Sequence, residues 1–257
     1  MSLERRIYTD RSVALSAVSQ LVAGQLERFF GRNDVLVVRN AVDVRFFNSR
    51  ARLARRSEAR TTFGAAPDEF VFLLIGNDWK KKGLDTLLES LTECTDLPVR
   101  LFVVGSDDRE PYIEQCEKLQ LGARVSFLNP SPDVLQFYAA ADAYVGPSLE
   151  DAYGLPILES MACGLPVIAS TSAGASEIVR NGENGLLLRN PHDVKELAQL
   201  MRKLCASQDL VHSLGEAAEG TAALESWESH AERMHTHFEK IVACKNQSQG
   251  KSKAVSH

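Results

Sequence analysis

The sequence predicts an α/β fold in which a parallel sheet is flanked by helices on both faces. Three observations lead there. Short apolar runs rich in Val, Ile, Leu and Phe alternate with polar turns and with longer stretches of helical spacing, the pattern of repeated βαβ units. Those runs are nearly continuous in apolar character, as strands are when helices cover both faces of the sheet. Three loops of glycines or small residues also follow such runs and precede helical stretches, which is where a parallel sheet places its ligand site.

The elements follow in order. Residues 11–38 read as a strand-like run at 13–18, a helix around 19–30 and a strand at 35–38, too few elements to close a sheet. Six arginines and one acid, Glu58, stand between Arg45 and Arg60. They read as a solvated linker or helix face, with contact to anionic lipid headgroups or a partner as the sharper alternative. The runs at 70–75, 99–104, 125–128, 143–145, 166–169 and 185–188 read as strands, with helices near 84–93, 110–120, 132–140, 155–163 and 174–180 between them. From about 192 the pattern turns helical, over 192–205, 208–222 and 226–242. In the last of these Trp227, Ala231, Met234, Phe238, Ile241 and Val242 fall near one face. The polar residues 245–257 are expected to be disordered.

Composition excludes several classes. With 257 residues and 44% hydrophobic content the chain can bury a substantial core. A net charge of −5 lacks the dominant basic balance of a non-specific nucleic-acid binder. Five widely spaced cysteines without a CxxC pair read as reduced thiols. Met1 is followed by Ser-Leu-Glu-Arg-Arg, and no apolar run approaches the roughly 20 residues that span a bilayer. The expectation is a cytoplasmic protein, with peripheral membrane association tied to the arginine run. The histidines, among them His230, His235 and His237, lack the spacing of a metal site, so no metal is expected.

The chemistry concentrates in the three loops. Gly76-Asn77-Asp78-Trp79-Lys80-Lys81-Lys82-Gly83 follows a strand and opens a helix. Its glycines permit close approach of the backbone, and its lysines add charge where a helix N-terminus already favours an anion, so a phosphate is the natural guest. In the segment from Pro147 to Gly164, Pro156 and Gly164 frame a short helix whose amides around Gly154 and Leu155 form an uncharged anion cradle. Asp151 before that helix and Glu159 within it suit acceptance of hydrogen bonds from sugar or ribose hydroxyls. Ser172-Ala173-Gly174-Ala175-Ser176-Glu177 forms a third, small-residue loop, either beside the ligand or as a simple tight turn.

The run from Pro147 to Ala169 resembles the hallmark segment of glycosyltransferase family 4. Further matches are Val18-Ser19, Asn40-Ala41-Val42-Asp43, Lys82-Gly83, Ala140-Ala141-Asp142, Asn181-Gly182-Glu183-Asn184-Gly185-Leu186 and Ser226-Trp227-Glu228, so the resemblance covers about 13–242. It implies the C-terminal, Rossmann-like half of a two-domain GT-B fold and a retaining hexosyl transfer from a nucleotide diphosphate sugar to a hydroxyl, without a metal or other cofactor. The donor would be UDP- or GDP-linked, and the acceptor a glycan or lipid-linked hydroxyl. By the same resemblance Lys82, with Lys81 as second cation, holds the donor diphosphate beside Gly76 and Asn77. The amides near Gly154 and Leu155 meet the distal phosphate, Glu159 holds the ribose hydroxyls, Asp151 those of the transferred sugar, and Leu128 and Asn129 flank the base.

Two positions depart from the family pattern. The first acid is usually Glu where this chain has Asp151, and Arg is common where it has Asn77. The implied organisation is a remnant of an N-terminal acceptor domain and its link at 1–43 and a nucleotide-sugar-binding domain at 44–225. A terminal helix at 226–244 would return toward the N-terminal domain, followed by the tail at 245–257. Most of the N-terminal domain is then missing, so that the chain is a fragment, a truncated product or one half of a split enzyme. The alternative is a non-catalytic nucleotide-sugar-binding module or the partner subunit of a split transferase.

Overall fold

A computed structural model describes residues 3–254, with side chains as far as Ala243. The chain opens with helix α1 (Leu3–Thr9), strand β1 (Ser16–Ala17), helix α2 (Gln20–Phe30) and strand β2 (Leu36–Val37). β1 and β2 pair in parallel as a sheet of two short strands, shorter than the runs the sequence suggested. Helix α1 was not legible as a helix. It is tied down by Arg32, a buried arginine that donates to the carbonyls of Tyr8, Asp10 and Val13 and to the carboxylate of Asp34.

Helix α3 (Ser49–Thr62) then leads into the alternation that builds the body of the molecule: β3 (Phe70–Ile75), α4 (Leu84–Thr92), β4 (Val99–Val104), α5 (Glu110–Lys118), β5 (Val125–Leu128), α6 (Leu135–Ala140), β6 (Ala143–Gly146), α7 (Leu155–Ala162), β7 (Val167–Ser170) and β8 (Leu186–Leu188). Helices α8 (Val194–Cys205), α9 (Gln208–Ala222) and α10 (Trp227–Ala254) complete it. The six strands β3 to β8 form one parallel sheet in the order β5-β4-β3-β6-β7-β8.

The alternation of side chains along each strand divides the core into two layers. Val71, Leu73 and Ile75 of β3 join Tyr144 of β6 and Val167 of β7 in one cluster, packed under α6 and α7. Phe70, Phe72 and Leu74 join Leu101 and Val103 of β4 in the other, under α4 and α8. All six residues of β3 are buried, which is why its sequence shows no polar face.

The chain builds β3, β4 and β5 outward in one direction, then returns to lay β6 on the other side of β3 and continues to β7 and β8. The reversal opens a crevice between the loops that follow β3 and β6, the place where open parallel sheets bind ligands. Both loops come from the segments singled out in the sequence.

Three stretches differ from the sequence reading. The arginine run is a helix face rather than a linker: it forms α3, with Arg50 and Arg55 exposed as expected and Arg52, Arg56 and Arg60 turned inward to tie it to the body. Arg56 and Arg60 both donate to the carboxylate of Asp142, which also accepts the Val71 amide at 2.8 Å. Arg52 donates to the Cys163 carbonyl at 2.7 Å, and Arg55 pairs with Asp133 at 2.8 Å. The helix anticipated over 174–180 is a single 3₁₀ turn, Gly174–Ile178. Helix α10 continues to Ala254, through residues expected to be disordered, while 255–257 lie outside the described residues. Among the described residues no helix is long and apolar enough to cross a membrane.

Candidate functional site

Backbone contacts bring the two crevice loops together before any side chain is considered. The Leu149 amide donates to the Lys81 carbonyl at 2.7 Å. Gly83, at φ +76°, lies so close to Pro147 that a Cβ there would collide with the Pro147 carbonyl. The first loop is propped from within by Trp79, a buried ring packed against Tyr112 and Phe127, whose indole N–H donates to the Gly76 carbonyl at 2.9 Å. The Trp79 amide donates to Asp107 at 2.8 Å.

On this scaffold Lys82 reaches across the crevice. Its Nζ lies 2.5 Å from Asp151 Oδ2, and both side chains are largely sheltered from solvent. The lysine stem runs over Gly76, whose φ of +134° and missing Cβ leave room for it. Asp151 is itself held by main chain: its amide donates to the Ser172 carbonyl at 3.1 Å, and its carbonyl accepts the Gly174 amide at 3.0 Å. Gly154 opens helix α7 beside Asp151; Pro156 carries no N–H and the Ile157 amide donates to the Gly154 carbonyl at 2.9 Å, so the amides of Gly154 and Leu155 are the ones this tip has to offer.

Glu159 stands one turn into α7, half-buried, and its Oε2 accepts a hydrogen bond from the hydroxyl of Tyr138, a fully buried residue of α6. Burial pushes the Glu159 carboxyl above its ordinary value, and the Tyr138 donor opposes that rise. Tyr144, buried in β6 with its ring against Gly146, has its phenol driven up by burial first and then by the carboxylates of Asp151 and Glu159. The two acids therefore both act on Tyr144 of β6, and Lys82 is paired to one of them, Asp151.

The remaining candidates line the rim. The side-chain oxygen of Asn77 accepts from the Ser106 amide and hydroxyl at 3.0 Å each. Lys81 turns outward to Asp78, 3.5 Å away and exposed, while its carbonyl serves the loop-to-loop contact. Leu128 is partly buried at the end of β5, and Asn129 beyond it accepts from Arg109 at 2.7 Å. The small-residue third loop packs on the N-terminal segment: Ser19 caps α2 and donates to the Ala152 carbonyl at 2.7 Å, and a Cβ on Gly174 would run into both. Arg39 connects Glu177 of that loop to Glu225 before α10. Among the described residues no cluster of three or more His, Cys, Asp or Glu could hold a metal ion.

Sequence reading missed Tyr138, Tyr144 and Trp79. A tyrosine in an apolar stretch looks like core until its hydroxyl partner is known, and Tyr138 finds its partner 21 residues away. Trp79 carried a local signal, a large aromatic ring amid polar residues in a loop.

A family model described as glycosyl transferases group 1 matches residues 55–221, from α3 through α9 and across both crevice loops. The chain belongs to that family. This group 1 member is 32% identical over 216 residues to the D-inositol 3-phosphate glycosyltransferase of Rhodococcus erythropolis, a match covering 79% of the chain and 49% of that relative. The chain thus spans about half the length of the curated relatives it matches. Among solved structures it is similar to sucrose-phosphate synthase from Thermosynechococcus elongatus, with a TM-score of 0.82 and 25% identity over 94% of this chain and 61% of that one. It is also similar to Anabaena HepE in complex with UDP and glucose, with a TM-score of 0.79 and 25% identity over 88% of this chain and 62% of that one. The fold is that of the Rossmann-like half of GT-B glycosyltransferases.

Proposed function

We propose that this chain is the donor-binding part of a retaining glycosyltransferase, moving a hexosyl group from a nucleotide diphosphate sugar, UDP- or GDP-linked, to a hydroxyl of a glycan or lipid-linked acceptor. The observation that carries the reading is the meeting of Lys82, Asp151 and the amide-bearing tip of α7 in the β3–β6 crevice. A cation and free amides suit a diphosphate, and carboxylates beside them suit the hydroxyls on either side of it. The family relationship and a solved neighbour in complex with UDP and glucose support the same reading.

Lys82 is held by Asp151, so donor binding moves the lysine from carboxylate to diphosphate and leaves Asp151 to accept hydroxyls of the sugar. Glu159 accepts the ribose hydroxyls, and Leu128 and Asn129 flank the base. As the bond from the anomeric carbon to the diphosphate oxygen breaks, charge grows on the leaving group, and Lys82 and the α7 amides stabilise it more in the transition state than in the ground state. The acceptor oxygen attacks from the face the diphosphate leaves, and the departing phosphate oxygen takes its proton, so neither a separate general base nor a metal is required. The acceptor is shaped by a further domain, of which residues 1–43 are the closing part; this body acts with it, in one chain or as a separate subunit.

Calorimetry with UDP-, GDP- and ADP-sugars tests the reading. One of them binds the full chain, and Lys82→Ala and Glu159→Ala each weaken it at least about tenfold, ~1.4 kcal/mol. Unchanged affinity in both variants removes the donor site from this crevice. A radiolabelled-sugar transfer or donor-hydrolysis assay separates an enzyme from a binding module that holds the donor without turning it over.

A further inference from the structure

We propose that Tyr138 is a positioning residue that orients Glu159 as an acceptor for two neighbouring hydroxyls of the nucleotide ribose, an inference that rests on the assignment of Glu159 above. Glu159 sits half-buried with no lysine, arginine or histidine paired to it among the described residues. A carboxylate withdrawn from water needs donors, and the Tyr138 hydroxyl supplies one, to Oε2 alone. Oε1 has no protein partner among the described residues and keeps contact with solvent, so neutral hydroxyls are its fitting donors.

The tyrosine is built to hold that geometry. It is fully buried in α6, and the ring of Phe47 packs edge-on against it, with centroids 5.7 Å apart at 84°. Phe47 is in turn braced by Phe46 at 4.9 Å and 87°. A phenylalanine at 138 would fill the same volume, so packing alone does not call for the hydroxyl; Glu159 does. Tyr144 on β6 and Cys163 after α7, which also act on Tyr138, are held neutral by burial. The neighbouring cations are committed elsewhere, Lys82 to Asp151 and Arg52 to the Cys163 carbonyl.

The test compares affinity for the best-binding of UDP, GDP and ADP with affinity for its 2′,3′-dideoxy form, by calorimetry on the full chain. The wild type is expected to prefer the ribonucleotide at least about tenfold, ~1.4 kcal/mol. Tyr138→Phe is expected to reduce that preference to within about threefold while the dideoxy form binds as in the wild type, a selective loss that a general loosening of the pocket would not produce. Equal weakening of both ligands, or a preference left intact in Tyr138→Phe but abolished in Glu159→Gln, overturns the positioning role. A preference that survives Glu159→Gln overturns the assignment of Glu159 itself and the inference with it. Should Tyr138→Phe not fold, Tyr138→3-fluorotyrosine keeps the shape with a stronger donor and must increase the preference; no increase counts against the proposal.

Discussion

Strand β6 carries an aspartate at each end, and the two have the same exposure and opposite character. Asp142 precedes the strand, Asp151 follows it, and each side chain is 16% exposed. Asp142 is saturated by Arg56, Arg60 and the Val71 amide, and its own amide donates to the Val71 carbonyl, so it fastens β3, β6 and α3 at the lower rim of the sheet. Asp151 has one cation, Lys82, and one amide, that of Tyr153 at 3.2 Å, in a crevice that opens to solvent. Equal burial thus hides different bonding: Asp142 has its donors committed within the fold, and Asp151 keeps fewer, as the proposed role requires.

That contrast breaks first at the lower rim. Asp142→Ala leaves two guanidinium groups without their shared partner, and chemical denaturation is expected to show a loss on the order of 3 kcal/mol, with a loss under ~1 kcal/mol removing the hub role. At the upper rim Asp151→Asn is expected to do the reverse to binding. It frees Lys82 and removes a negative charge beside the proposed phosphate site, so affinity for the free nucleoside diphosphate rises about fivefold, ~1 kcal/mol, while sugar transfer falls. If affinity falls together with transfer, Lys82 is not held in reserve by Asp151.

Glu159 gives a smaller, pH-dependent effect. Its folded carboxyl titrates above its ordinary value because burial disfavours the charge, so ionisation weakens the fold as pH rises from the ordinary carboxylate range to the raised value. Glu159→Gln is therefore expected to raise Tm at neutral pH. The gain is absent below the ordinary range, builds between the two values and stays constant above; a Tm gain that persists in acid contradicts the assignment. The smallest effect belongs to the exposed Arg55–Asp133 pair, where Arg55→Ala is expected to change stability by less than about 0.5 kcal/mol. A larger loss would show that exposure misjudges this part of α3.

The sheet was legible because its signal is local. The runs 70–75, 99–104 and 125–128 are strands with those bounds; burial on both faces gives β3 a continuous apolar record, while β4 carries one arginine and the edge strand β5 is only partly buried. The loop lysines, Asp151 and Glu159 stood out as loop and helix-tip residues next to strand ends, and the choice of Lys82 among the lysines came from the family resemblance. What stayed hidden is whatever depends on distant partners. The arginines of α3 looked solvated because Asp142 and Asp133, which bind them, lie some 80 positions later. Lys81 and Lys82 look equivalent in sequence, and only the loop geometry turns one to Asp78 and the other to Asp151.

The contact between Gly83 and Pro147, with the Leu149 amide on the Lys81 carbonyl, rivets the two loops through main-chain atoms alone. In the proposed donor site, Asn129 and Leu155 stand outside this main-chain rivet, so the register of Lys82 and Asp151 is left to backbone contacts rather than to those side chains. A site so built would alter what it recognises at its margin while its lysine and aspartate stay in step.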